Sequence, residues 1–274
     1  MMTSAGNDSR RAVFRACAFV ASIYVLTFAA LGVAGAGQDS LPRNALWEVV
    51  HNVCVPGESA LHNPRPCLKV DLSGGLEKGF AILKDPRGLA QFLVIPTAQI
   101  SGIESPVILG SGAANYFADA WDARTFVNAA LNRNLSRDGI GLAINSVLSR
   151  SQDQLHIHVA CVQPSVFDAL RKNQERIGSH WAPLNVSLLG RYYAAIWVSG
   201  EDLSRNNPFR LLAEKLPGAA GDMGSRTLVV IGWTRPDGTK GFVILTDRVN
   251  VAGKDLANGE ELLDRSCNIA DSKE

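Results

Sequence analysis

Apolar and polar positions alternate with a period of two through Leu155, His156, Ile157, His158, Val159, Ala160, Cys161 and Val162. A strand there turns Leu155, Ile157, Val159 and Cys161 to one side and His156, His158 and Ala160 to the other. Comparable runs predict strands over 80–83 and 91–95, joined by an Asp85-Pro86-Arg87-Gly88 turn, and over 139–145, 192–198, 227–233 and 241–245. Elsewhere the period lengthens. Leu46, Trp47, Val50 and Val53 follow Pro42 at helical spacing and predict a first helix that ends near Pro56. Phe117, Trp121, Val127 and Leu131 predict one amphipathic helix over 116–131, Pro164 opens another carrying Val166, Phe167, Leu170 and Ile177, and a short one is expected around 209–216. Strands, helix and further strands in this order predict an α+β fold with helices packed on an antiparallel sheet.

A second kind of pattern precedes all of this. Residues 16–36 are uncharged and mostly apolar, and Arg10, Arg11 and Arg15 stand just before them. A helix of that length crosses a hydrocarbon core of about 30 Å, with the basic end kept in the cytoplasm. Residues 1–15 therefore read as a basic N-terminus, 16–36 as a transmembrane anchor, favoured on length over a cleaved signal, and 40–274 as one large domain with a C-terminal extension. Either version exports the domain, which in a bacterium places it on the periplasmic side of the inner membrane. The formal charge of +1 gives no electrostatic case for nucleic acid.

Export allows disulfides among the cysteines outside the apolar segment. Cys54 and Cys67 close a short loop holding Pro56, Gly57, Pro64 and Pro66, and are the preferred bridge; metal ligation by the two lacks any CxxC spacing. Cys161, on the strand side away from the histidines, reads as a buried thiol or as a partner for Cys267. The segment from Ala182 onward carries no motif that converts into chemistry.

The histidine pair does. At about 3.3 Å per residue the two same-face side chains start roughly 6.6 Å apart, close enough to address one phosphate or one metal ion. Imidazole is neutral, nucleophilic and proton-carrying near pH 7 and suits either task. A zinc-dependent phosphoesterase would need a third ligand, and no HExxH or similar spacing supplies one, so neither metal nor cofactor is expected.

Three blocks carry a resemblance. Phe80-Ala-Ile-Leu-Lys-Asp85, Phe92-Leu-Val-Ile-Pro-Thr-Ala-Gln-Ile-Ser101, and the spacing Asn145, Gln152, His156, His158 are together similar to the histidine-triad nucleotide hydrolases and transferases, most closely to their CDP-diacylglycerol pyrophosphatase branch. The membrane-proximal N-terminus and the segments 44–51 and 102–106 also resemble that branch. Two positions depart from the superfamily pattern, Ala160 for its third histidine and Gln99 for the histidine of its strand-end motif.

The resemblance implies a histidine-triad-like sheet, membrane association and hydrolysis of the lipid nucleotide CDP-diacylglycerol to CMP and phosphatidate. His158 takes the central, nucleophilic position and forms a nucleotidyl-imidazole, while His156 orients or protonates the phosphate. Asn145 and Gln152 supply amide donors to its oxygens or hold the His158 ring. Asp85 is a candidate ribose acceptor, and Lys84 and Arg150 are candidate charge neutralisers. The alternative to catalysis is a membrane-tethered module that only binds a nucleotide or lipid.

Overall fold

The computed structural model describes residues 42–270. Its frame is one antiparallel sheet of ten strands: β1 (Lys69–Asp71), β2 (Phe80–Lys84), β3 (Phe92–Pro96), β4 (Ile140–Ile144), β5 (Ile157–Val162), β6 (Ala182–Leu188), β7 (Arg191–Ser199), β8 (Leu228–Thr234), β9 (Lys240–Thr246) and β10 (Leu263–Asp264). The spatial order is β1-β2-β3-β5-β4-β8-β9-β7-β6, with β10 continuing the β3 side of β5 through the pairs Leu263 to Val162 and Asp264 to Cys161. Each predicted strand is present, and the short β1, the Pro-containing edge strand β6 and the two-residue β10 are additional.

One topology occurs twice. Strands β2 to β5 lie in the order β2-β3-β5-β4, and β6 to β9 in the matching order β6-β7-β9-β8. The two halves meet edge to edge where β4 pairs with β8, from Gly141 opposite Ile231 to Ile144 opposite Leu228. In each half helices follow the second strand and cover the same face: α3 (Tyr116–Asp122) and α4 (Arg124–Leu131) in the first, α6 (Pro208–Lys215) in the second. That face is the larger core, where Phe92, Val94, Leu142, Val159, Val230 and Phe242 meet Phe117, Trp121 and Phe209.

The other face is covered in two separate pieces. α5 (Pro164–Asn173), which links the halves, lays Val166 and Leu170 over Ala160, Val229, Val243 and Leu245. At the opposite end α1 (Ala45–Val49), a π turn (Val50–Cys54) and α2 (Val55–Leu61) cover Ala81, Leu93 and Ile95 with Val50, Cys54 and Val55. The start of β5 runs between these two coverings.

Two helices depart from expectation. The first does not stop near Pro56 but continues to Leu61, because Val55 N–H bonds back to Val50 O across the wide π turn, and Pro56 then occupies a first-turn position where no N–H is needed. The helix expected over 116–131 is broken at Ala123, whose ψ of −10° unwinds the backbone between α3 and α4. The Cys54 to Cys67 bridge is present, and Cys161 pairs with Cys267 on the helix-covered side of β5. Among the described residues no helix is long and apolar enough to cross a membrane; the span expected over 16–36 lies outside them.

Candidate active site

The alternation of β5 turns His156 and His158 to the face that α1–α2 and α5 leave between them, with ring centroids 5.1 Å apart and the rings nearly perpendicular. Their surroundings differ in a way that fixes where each proton sits. His156 Nδ1 lies 2.7 Å from the carbonyl oxygen of Gln154, two residues back. A carbonyl only accepts, so Nδ1 carries the proton and the lone pair of the neutral ring is at Nε2. That nitrogen makes no hydrogen bond among the described residues, and His156 keeps 7% of its surface exposed.

His158 is enclosed on both edges and is 1% exposed. Its Nδ1 is 3.0 Å from Gln91 Nε2, and the same amide nitrogen reaches Asp85 Oδ2 at 3.2 Å and Glu260 Oε1 at 2.9 Å. Two carboxylates around one amide end require its NH₂ there, with two protons among three acceptors; Nδ1 of His158, facing that NH₂, carries no proton, so the proton of the neutral ring resides on Nε2. Nε2 faces Glu260 Oε2 at 3.4 Å, an electrostatic contact without hydrogen-bond alignment. The lone pair of His158 is therefore at Nδ1, turned to Gln91 in the interior. The expectation that it offers the attacking nitrogen meets this obstacle, and the free nitrogen belongs to His156.

The remaining expected residues divide sharply. Asp85, buried, accepts from Arg87 N–H, from the Arg87 guanidinium and from Gln91, and so anchors the amide that faces His158. Asn145 Oδ1 accepts from Glu260 N–H at 3.1 Å, which clamps the Glu260 segment and leaves the Nδ2 amide without a hydrogen bond among the described residues. Gln152 is not brought to the histidines: its Oε1 accepts from Leu46 N–H and its Nε2 donates to Pro42 O and Ser151 O, tying the first helix down. Lys84 Nζ is likewise spent on Asp85 O and Gly88 O inside the turn. Arg150 pairs with Glu104 and Asp153, although its charge still reaches His156.

Residues the sequence did not single out complete the constellation. Gln154 matters through both its parts: the carbonyl holds His156, and the buried side chain grips Pro96 O, Ala98 O and Ile100 N–H, so the segment after β3 locks the approach to β5. From the far end of the chain come Glu260 and Arg265. Arg265 Nη2 donates to Glu260 Oε1 at 2.9 Å, and Arg87 Nη2 lies 3.9 Å from the same oxygen. Gly259 sets the depth of this segment, since a Cβ there would strike Thr227 Oγ1 and Val229 Cγ2. No spacing in the sequence links these residues to the histidines. The one available signal was Gln91, a polar residue at the start of an apolar strand.

Charge around the pair is balanced. Burial pushes both imidazoles below their ordinary proton affinity, opposed by Glu260 and Asp85. Burial alone would raise the Glu260 carboxyl, but His158, Gln91, Arg265 and Arg87 together hold it below the usual carboxylate range. At neutral pH the site thus contains neutral histidines, an ionised Glu260 and two guanidinium groups at the rim. Asp85, His158 and Glu260 also place one ligand atom each within 4.8 Å of one another, the geometry of a candidate cation site. Their carboxylates already carry Arg87 and Arg265, whose charges a divalent ion would have to displace.

Comparison with known proteins agrees on one group. The family described as CDP-diacylglycerol pyrophosphatase matches residues 41–271. A protein of Yersinia pestis with the name CDP-diacylglycerol pyrophosphatase is 38% identical over 250 residues, covering 90% of this chain and 94% of its own length.

Proposed function

The chain belongs to the CDP-diacylglycerol pyrophosphatase family and is a hydrolase of CDP-diacylglycerol; from that premise we propose that His156 is its nucleophile. The observation that carries this is the Nδ1 proton committed to Gln154 O, which leaves Nε2 as a lone-pair donor without a hydrogen-bond partner among the described residues, on the ring that keeps 7% of its surface exposed. Nε2 attacks the phosphorus next to cytidine, the bond from that phosphorus to the bridging oxygen breaks, and its electron pair leaves with phosphatidate. The ring, still protonated at Nδ1, holds the cytidylyl group as a cation. Water then adds to the same phosphorus, the P–N bond electrons return to Nε2, a proton is lost to solvent, and CMP departs.

The rest of the site supports this division of labour. Arg87 and Arg265, paired with Asp85 and Glu260, keep side chains about half exposed, 53% and 50%, and are the cations at hand to neutralise the pyrophosphate. His158 packs against the nucleophile and holds its ring in place. Replacing His156 by Ala lowers CMP release by at least about a thousandfold, whereas His158→Ala leaves a reduced, measurable rate, on the order of one to two decades down. Equal loss in both, or greater loss at His158, contradicts the assignment.

We also place the domain outside the cytoplasm on a single inner-membrane anchor over 16–36. Two disulfides, one of them closing over a separation of 106 residues, support an oxidising compartment. Protease added to intact spheroplasts should degrade the domain; protection until lysis argues for the opposite orientation.

A further inference from the structure

Glu260 is a buried acid supplied by the half of the molecule that has no histidine of its own on the sheet. On the open face β9 presents Val243 and Leu245 under α5, while the loop after β9 returns across β4 to set Glu260 behind His158. This return is built firmly. Asn145 takes the Glu260 N–H, Ser146 N–H bonds Ala257 O, Leu262 O accepts from Gln163 N–H, β10 pairs with β5, and Cys267 is bonded to Cys161. A carboxylate held by so many backbone contacts, nine-tenths covered and facing an imidazole edge, is a fixed charge and not a surface residue that happens to lie near.

We propose that Glu260 is a positioning residue whose negative charge, delivered across His158, stabilises the cationic cytidylyl-imidazole formed on His156. The inference rests on the nucleophile assignment above. When Nε2 bonds to phosphorus the ring cannot shed its Nδ1 proton to the Gln154 carbonyl, so a full positive charge appears in a buried space. The groups that face it are His158 and Glu260 on one side, Asp85 and Arg87 in the turn after β2, Arg265 at the rim and Arg150 in the loop before β5. Asp85 is shared with Arg87 and Gln91, and Arg150 opposes the new charge. Glu260 is shared as well, but through Oε1 alone, whereas both Asp85 oxygens are taken; Glu260 Oε2 faces only His158, so Glu260 carries the greatest part of the compensation. His158 keeps the carboxylate at a set distance and excludes water from the gap, so the charge acts with little screening.

The same arrangement predicts the direction of a pH effect. Glu260 favours the protonated state of His156, and only the neutral ring attacks, so kcat/KM rises with pH as His156 loses its proton. In Glu260→Gln, close to isosteric, the plateau of kcat falls about ten- to a hundredfold and the acid limb of kcat/KM moves to lower pH. Glu260→Asp restores the limb position with part of the rate. Arg265→Gln, at a half-exposed site, removes a cation from Glu260 and moves the limb to higher pH, a readout available if Glu260→Gln does not fold. A lowered plateau with an unmoved limb, or an unchanged plateau, overturns the role given to Glu260. Mapping the labelled adduct in the same samples separates the two readings: an adduct on His156 with an unmoved limb sinks only the Glu260 proposal, whereas an adduct on another residue sinks the nucleophile assignment itself.

Discussion

His156 and His158 are chemically the same side chain two positions apart, and what distinguishes them is the acceptor or donor that each Nδ1 meets. A backbone carbonyl makes one ring an Nε2 nucleophile, and a glutamine amide makes the other an Nε2–H donor. The sequence puts both rings on one face and the resemblance gives the nucleophile's part to His158; periodicity alone does not order them, because the deciding partners are a main-chain oxygen and a glutamine 67 positions away. Asn145 was legible by its spacing and Asp85 by its place at the end of a strand block, and both hold other protein groups around the pair, Asn145 through Oδ1 and Asp85 through both oxygens. Gln152, Lys84 and Arg150 show the limit of reading a motif's neighbours: local backbone holds Gln152 and Lys84, and Arg150, paired with Glu104 and Asp153, reaches His156 only as a charge.

At the level of elements the strands were readable because a period of two survives wherever one face packs on helices. Where both faces are buried, as in β3 and β4, the strand reads as a continuous apolar run and is still bounded by turn residues. Helix ends were less legible. A π turn carries the first helix through Pro56, and the break at Ala123 has no proline or glycine to announce it. The segment that delivers Glu260 was invisible for a plainer reason: 3₁₀ turns and a two-residue strand have no periodicity to detect. That segment is also the most sensitive element of the site. Gly259→Ala forces a Cβ to within 2.8 Å of Val229 Cγ2 and into Thr227, so the loop must lift. The expected outcome is a stability loss of about 1–3 kcal/mol in denaturant melts together with loss of activity exceeding that of a substitution at exposed Leu256. Unchanged melting and activity would show that the loop's depth does not matter.

Seen whole, the molecule is one sheet made of two topologically equivalent halves, of which the first carries the histidines and the second supplies the acid and one rim arginine. The duplication left no trace in the sequence, since strand order is a property of register and not of residue identity, and the buried pair Val243 and Leu245 stands in β9 on the face where β5 has its imidazoles. It explains why a C-terminal stretch without motifs is nevertheless needed: it covers the edge of β4, closes the back of the active site and is tied to β5 by Cys267. The account as a whole stands on the identity of one atom, His156 Nε2. The most direct measurement is rapid acid-free quenching of the full-length enzyme with CDP-diacylglycerol labelled in the cytidylyl phosphate, after exhaustive chelation, followed by peptide mapping of the bound label. A cytidylyl group on His156 that forms and decays at the rate of turnover is the result expected here. Label on His158, or turnover with no covalent label at any histidine, would contradict it.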